Sequence, residues 1–302
     1  MNDTTHNTVP PFQQPPQLIS VVMPCYNGAK TLPAQLEALA SQTFQGGWEL
    51  VLVDNRSTDG SADLARRWAD RLPLRVVEAA ERQGINYARN AGAAAARGDY
   101  IIFCDVDDVA REGWLQAMAQ AAARCALIGG ALDEAALNDE TTRAWRPPTS
   151  QQTLPVALDF LPFAVGANCG VRADVLDALE GFDESYVRGG ADVEFFWRAQ
   201  LAGHDLCHVP DAVMEYRHRP GLRTLRRQFY RYGRAEPQLY AAFRGDGLGR
   251  PSLKTALVDW AWIAFHCIDW FRAEEKRGKW LHHAAYRWGR LMGSLRFRVL
   301  FL

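Results

Sequence analysis

Between Leu18 and Asp108 the chain alternates four times between a short strand-like run and an amphipathic stretch, and this rhythm restricts the fold more than any other feature. The runs are Leu18 to Met23, Glu49 to Val53, Leu74 to Val77 and Tyr100 to Cys104. Their length and β-branched content predict buried strands. Helices are predicted from about Thr31, with Leu32, Leu36 and Leu39 on one face, and after Ser57-Thr58-Asp59, with Leu64, Ala65 and Trp68. A third, Gly84 to Arg97, is built of small residues that let it lie close to a sheet. Repeated strand, helix, strand order gives a parallel sheet with right-handed crossovers, an α/β Rossmann-like fold with flanking helices. Ligands of such sheets collect beyond the C-terminal strand ends, here Pro24 to Gly28, Asp54 to Asp59 and Asp105 to Asp108.

The last of these ends crowds three carboxylates, Asp105, Asp107 and Asp108, behind the run Tyr100-Ile101-Ile102-Phe103-Cys104. Like charges this close are costly unless a cation joins them. Oxygen ligands at this density suit a hard divalent ion, Mg²⁺ or Mn²⁺, which keeps room for water and phosphate oxygens. The competing reading is an acidic loop that caps the helix beginning near Glu112.

Further along, a helix over Glu112 to Cys125 and a strand near Ala126 to Leu132 are predicted, then a long loop without period from Asp133 to Phe160. Gly166 to Val171 resumes as a strand, Ala173 to Leu179 as a short helix, and Val193 to Ala202 as a helix ending at Gly203. Two short strands, Asp205 to Val209 and Ala212 to Tyr216, close the unit.

At 302 residues, 48% hydrophobic and 23% charged, the chain can bury one large domain with an appendage. The polar, proline-rich stretch Met1 to Gln17 lacks the pattern of a signal peptide and is expected to be a disordered leader. No apolar run approaches the roughly 18 residues of a membrane span. Six cysteines without a CxxC pair predict reduced core thiols of a cytosolic protein. The net charge of −1 hides an asymmetry, since residues 216–302 carry 18 Lys and Arg against 6 Asp and Glu, a net +12, which leaves −13 for residues 1–215. The basic part therefore needs an anionic partner or an acidic neighbour.

Five stretches together resemble the family 2 glycosyltransferases of the GT-A fold. They are Val21-Val22-Met23-Pro24-Cys25-Tyr26-Asn27, Val53 to Ser61, Ala88-Arg89-Asn90-Ala91-Gly92, Asp105-Val106-Asp107-Asp108 and Gly181-Phe182-Asp183-Glu184. The resemblance covers residues 18 to about 235. It implies an inverting, metal-assisted transfer of a sugar from a nucleotide-sugar donor, of UDP or dTDP type, to an acceptor hydroxyl. It further implies that Pro24, Tyr26 and Asn27 line the nucleotide pocket and that Asp54 bonds the base. Arg89 would sit near the base or phosphates, Asp105 would face the ribose and Asp107 would hold the metal.

An acceptor hydroxyl needs a base on the opposite face of the sugar. Asp192, in Asp192-Val193-Glu194-Phe195-Phe196-Trp197-Arg198, resembles the base of the family's Glu-Asp-x-Asp/Glu-Leu-x-x-Arg motif, with Ala191 standing where the family has Glu. Glu194 is a candidate substrate contact of the same motif. Asp192 also suits a helix N-cap, and both roles can coexist. Tyr26 reads as a pocket residue or a core aromatic. His204 and His208, flanked by Gly203 and Pro210, do not make a metal pair, whereas His218 is either a further metal ligand or a histidine of a basic loop.

Gln228-Phe229-Tyr230-Arg231-Tyr232 is similar to the Gln-x-x-Arg-Trp element of processive synthases, with Tyr232 in place of Trp, and makes Arg231 an acceptor-side candidate. Without membrane spans, a single-addition enzyme is expected. The residues from 236 onward form a basic, aromatic-rich helical extension with Trp260, Trp262, Trp270, Trp280 and Trp288 among Lys and Arg. Such helices lie on anionic membrane or pack on the acidic domain. The whole predicts a transferase for surface polysaccharide or glycolipid synthesis, peripheral on the inner face of the cell membrane, acting on a glycan or lipid-linked acceptor. Nucleic acid is not expected as a partner. The rivals are a sugar nucleotidyltransferase, whose glycine-rich loop the single glycine of Cys25-Tyr26-Asn27-Gly28 does not supply, and a scaffold that binds nucleotide sugars without catalysis.

Overall fold

The computed structural model describes residues 15–187 and 189–302. The expected leader lies outside the described residues up to position 14. Its first half alternates β1 (Ile19–Cys25), α1 (Leu32–Ala40), β2 (Trp48–Asp54), α2 (Ser61–Arg66), β3 (Leu74–Glu78), α3 (Ile85–Ala95) and β4 (Tyr100–Cys104). There follow β5 (Val109–Ala110), α4 (Trp114–Ala122), β6 (Leu127–Asp133), α5 (Glu140–Ala144), the two-residue strands β7 (Val156–Ala157) and β8 (Leu161–Pro162), β9 (Asn168–Arg172), α6 (Ala173–Ala178), α7 (Ala191–Leu201) and β10 (Leu206–Glu215). Helices α8 (Leu222–Phe243), α9 (Leu253–Phe265) and α10 (Glu274–Phe297) end the chain, with a 3-10 turn at Cys267–Phe271 between the last two.

One sheet runs in the order β3-β2-β1-β4-β9-β6-β10-β5. The pairs β1/β2, β1/β4, β2/β3 and β6/β10 are parallel, and β9 lies antiparallel between β4 and β6. The C-terminal ends of β1, β2, β4 and β6 therefore share one edge. Alternation along β1 sends Ile19, Val21 and Met23 to a face covered by Leu32 and Leu36 of α1 and by Trp114 and Met118 of α4. Val22, with Val51, Ile101 and Phe103, packs on the other face against α3, α6 and α7. Both faces are dry, which explains why these strands read as continuous apolar runs. The α/β expectation holds, with a mostly parallel sheet, flanking helices and a C-terminal helical part.

Several expectations need correction. The two strands at Asp205 to Tyr216 are one, β10, whose pairing with β6 shifts register between Val209 and Val213 around Pro210, which has no N–H to donate. The long loop after Asp133 contains α5, started by Asp139, whose carboxylate accepts from Thr142 N at 2.7 Å, and the small hairpin β7-β8. The cysteines are not all reduced, because Cys125 and Cys207 are joined in a disulfide. Cys125 precedes β6 and Cys207 opens its neighbour β10, so strand pairing, which the 82-residue separation conceals, brings them together. Cys267 is exposed rather than in the core.

The boundary expected at 235/236 falls inside α8. That helix crosses α10 at Gly233, Gly289 and Gly293, where a Cβ on Gly289 would overlap the Tyr230 carbonyl and one on Gly233 the Tyr286 carbonyl. Beneath the crossing, buried Glu236 pairs with Arg290 and accepts from the Tyr286 hydroxyl. The ion pairs Arg287–Asp259, Arg290–Glu236, Arg272–Asp269 and Lys279–Glu275 all join the helical layer to itself. They do not join it to the acidic domain. Among the described residues, no helix is long and apolar enough to cross a membrane.

Candidate active site

The crevice at the shared strand edge is assembled by short polar side chains that bond backbone. After β1, Asn27 takes a φ of 53°, donates its N–H to Ser57 Oγ at 3.0 Å and accepts from Thr58 N at 2.8 Å through its side-chain oxygen. Gly28 N donates to Ser61 Oγ at 2.9 Å and Ala29 N to Asp59 Oδ2 at 2.9 Å. The loops after β1 and β2 are thus sewn together. Asn55 carries the seam onward, donating to the carbonyls of Ala79 and Arg82 and accepting from Gly84 N. On α3, Asn90 both donates to and accepts from Phe182 backbone at 2.9 Å, which binds two of the sequence motifs to each other.

At the end of β4, ligand atoms of Asp105, Asp107 and Asp108 lie within 4.8 Å of one another. Burial and mutual repulsion hold the Asp107 and Asp108 carboxyls above the ordinary carboxylate range. Asp108 Oδ1 accepts from Arg217 N at 2.7 Å, and its buried Oδ2 has no hydrogen-bond partner among the described residues. Three crowded carboxylates and an orphaned oxygen fit a divalent cation. Asp108 belongs to this group, although of the three aspartates the family resemblance made only Asp107 a metal ligand.

Of the other residues singled out, Pro24 is buried at the end of β1, and Tyr26 stands 54% exposed at the mouth. Asn27 is occupied with Ser57 and Thr58, so its side chain shapes the pocket from behind. Asp54 accepts from Ser57 N at 3.3 Å. Arg89 lies buried on α3, its Nη2 3.7 Å from Asp105 Oδ1, and its guanidinium fills the space that a side chain at Gly166 would need. Gly166 N donates to Asp192 Oδ2 at 3.2 Å, and Val193 N to Asp192 Oδ1 at 3.0 Å. Asp192 is the second residue of α7, and the cap itself is Gly190 with a φ of 78°, so the N-cap reading is corrected. Cys169, buried between these groups, has its thiol pushed up to about 12 by burial, against the opposing pull of Arg89 and with Asp192 and Asp105 adding to the rise.

Two residues are placed elsewhere. Glu194 is buried and paired with Arg198 at 2.6 Å, one turn along α7. His218 stands apart from the carboxylate cluster, its Nε2 3.4 Å from Glu134, and burial together with the nearby Arg146 lowers its pKa to about 4. In the segment after β10 successive backbone N–H groups turn to different partners, Arg217 N to Asp108 and His218 N to Asn138. Arg217 and Arg219 face the carboxylates, which their charge helps to keep ionised, and His218 between them faces away. That alternation was readable in Tyr216-Arg217-His218-Arg219 and went unused.

Arg231 is exposed on α8, and the adjacent Tyr232 hydroxyl receives Gln228 Nε2 at 3.0 Å. The Tyr232 ring, 40% exposed, packs over Gly189. Gln228 in turn accepts from Arg146 at 3.3 Å.

The family model for glycosyl transferase family 2 matches residues 20–180, and that for glycosyl transferase family group 2 matches residues 151–298. Glycosyltransferase AglE of Haloferax volcanii is 29% identical over 255 residues, 82% of this chain and 81% of that protein. A PGL/p-HBAD biosynthesis glycosyltransferase of Mycobacterium tuberculosis is 39% identical over 92 residues, 30% of this chain and 36% of its own. Among solved structures, the mannosyltransferase PcManGT from Pyrobaculum calidifontis, in complex with GDP-Man and Mn²⁺, superposes with a TM-score of 0.61 at 18% identity, covering 95% of this chain and 89% of that one. S. aureus TarS 1–349 with UDP-GlcNAc gives 0.53 at 17% identity, covering 94% and 93%.

Proposed function

This chain belongs to glycosyl transferase family 2, and we propose that it is an inverting enzyme that moves a sugar from a nucleoside-diphosphate donor to a hydroxyl of a glycan or lipid-linked acceptor. The observation that carries this reading is the pairing of two separate acidic features. One is the cluster Asp105, Asp107 and Asp108. The other is the lone carboxylate of Asp192, gripped by two backbone N–H groups at the start of α7.

Asp107 and Asp108, with Asp105, would hold Mg²⁺ or Mn²⁺, whose charge supplies stabilisation of the diphosphate as it departs. The nucleoside lies along Tyr26 and Asp54, behind which Asn27 and Ser57 keep the two loops in register. Arg217 and Arg219 stand beside the carboxylates and complement the diphosphate charge. Asp192, fixed in orientation, takes the proton of the acceptor hydroxyl as its oxygen attacks the sugar carbon from the face opposite the leaving group. Arg89 lies beneath both, backing Asp105 on one side and the Gly166 turn that holds Asp192 on the other. The product is a surface polysaccharide or glycolipid, a reading that the mycobacterial biosynthesis glycosyltransferase supports, and the enzyme acts at the membrane periphery.

A panel of nucleoside diphosphates tested by thermal shift, with and without Mn²⁺, checks the donor half. A ligand at a hundred times its Kd adds about 2.7 kcal/mol of stability. The expected result is that one base stabilises the wild type only with metal and leaves Asp107→Ala unmoved. Stabilisation by nucleotide that survives Asp107→Ala would remove the metal from the proposal, and binding without any transfer activity would return the scaffold reading.

A further inference from the structure

The C-terminal layer carries a feature that donor chemistry does not use. Between α8, α9 and α10 lies a cavity of about 530 Å³ walled by Trp260, Ile263, Trp280 and Trp288, with Arg226 and Arg227 of α8 among its lining residues. Both arginines are exposed. Beside it, α9 buries only Ala256 and Ile263, and Trp280 Nε1 ties it to α10 through the Ile263 carbonyl at 2.9 Å. One stripe of its remaining surface is apolar and uncovered. Leu253, Leu257, Ala261 and Phe265 follow one another at four-residue spacing, which puts them on one stripe, and all are exposed. The 3-10 turn adds Ile268, Trp270 and Phe271, so that Phe265 and Phe271 stand 82% and 84% in solvent. A contiguous surface of this kind marks an interaction site.

Charge selects the partner. The acids of α9 and the turn itself are neutralised within the layer, Asp259 by Arg287 and Asp269 by Arg272, and exposed Glu275 lies near Lys279 at the start of α10 beside exposed Glu274. Lys254 on α9 and Arg223, Arg226 and Arg227 on α8 are exposed. An apolar stripe with aromatic rings and an excess of cations matches an anionic bilayer, into whose interface rings and chains enter while cations meet phosphates.

We propose that this layer is an anionic-lipid site. The α9 stripe and the Cys267–Phe271 turn seat in the bilayer interface, and the cavity takes one lipid, its phosphate on Arg226 and Arg227 and its hydrocarbon among Trp260, Trp280 and Trp288. The proposal goes beyond the donor reading, and gives the lipid-linked acceptor of that reading a surface from which to arrive.

Flotation of the whole protein with phosphatidylcholine vesicles, with and without phosphatidylglycerol, tests it. The wild type is expected to float with phosphatidylglycerol and to be released by salt. Arg226→Ala/Arg227→Ala should weaken the anionic preference by roughly twenty-five-fold, about fivefold per cation. Phe265→Ser/Phe271→Ser should abolish flotation, and at such exposure it leaves the thermal midpoint and nucleotide binding unchanged. Wild type that stays in the soluble fraction overturns the proposal, as does equal flotation on neutral vesicles or variants that float like the wild type. Concentration-dependent dimers lost in Phe265→Ser/Phe271→Ser would assign the stripe to a second copy instead. Nucleotide binding is read separately, so failure here and failure of the donor reading are distinguishable.

Discussion

The strand-end crevice and the C-terminal helical layer are built by opposite means. In the crevice the chemistry sits on short carboxylates whose positions are set by backbone, because Asn27, Ser57, Asn55 and Asn90 bond main chain from one loop to the next. In the layer the exposed surface is whatever the packing leaves uncovered, and the packing is set by three glycines that let α8 and α10 touch. A crevice of the first kind fails when one atom changes. A surface of the second kind fails when a helix shifts or loses area.

The sharpest way to break that contrast lies within one helix. Asp192 and Glu194 are two residues apart in the first turn of α7, one facing the crevice and the other packed on Arg198. Asp192→Asn keeps the shape and one of the two backbone N–H contacts, so stability should fall little while transfer falls by roughly two to four orders of magnitude. Glu194→Gln should do the reverse, leaving Arg198 short of its partner and lowering stability by roughly 3 kcal/mol, the lower end for a buried pair because Arg198 is partly exposed. Paired measurement of initial rate and urea midpoint decides. A stable Glu194→Gln that loses transfer, or an active Asp192→Asn, exchanges their roles.

A smaller effect tests the layer. Gly289→Ala inserts a methyl against the Tyr230 carbonyl and should cost about 1–3 kcal/mol as α8 and α10 part. Because the crevice is stitched independently, the nucleotide-induced thermal shift should persist on the lowered baseline. Loss of nucleotide binding in Gly289→Ala would show the two regions to be coupled, through Tyr232 of α8, whose ring packs on Gly189 just ahead of α7.

What could be read from the chain follows the same division. The sheet was legible because alternation of runs fixes parallel order, and the carboxylates were legible because motif residues fall where strands stop. Glu194 and His218 were misplaced for a common reason, since each is a polar residue beside a functional one in sequence but turned from it by local geometry, Glu194 towards Arg198 and His218 towards Glu134. The Cys125–Cys207 bond and the glycine crossing arise from contacts between distant segments, which leave no local period. The aromatic, basic character of the end was plain in composition. Which apolar side chains are buried, as Ile263 is and Phe265 is not, depends on the angle at which α9 meets α10.

The last test separates the regions by pH. His218 lies beneath the crevice and His282 in the layer, stacked on Phe229 at 3.7 Å with its Nδ1 2.8 Å from the Trp145 carbonyl. Burial depresses both, each from 6.5 to about 4. In the unfolded chain they take up protons near pH 6.5, so across this window the unfolded state binds more protons than the folded one. Stability from both is therefore complete above about 6.5 and is lost as the pH falls towards 4. Asp107 and Asp108 act with the opposite sign, since their raised values mean that stability is lost as the pH rises through them. Subtracting each variant's urea midpoint from that of the wild type at every pH removes the carboxylates' share. His282→Gln, which can still meet the Trp145 carbonyl, should flatten the acid limb of the midpoint curve, and His218→Asn should flatten it by a similar amount. If only the His218 variant does so, the layer admits water around His282 and is looser than the crevice. If neither does, both rings are already hydrated, and the contrast between a stitched crevice and a packed layer loses its electrostatic support.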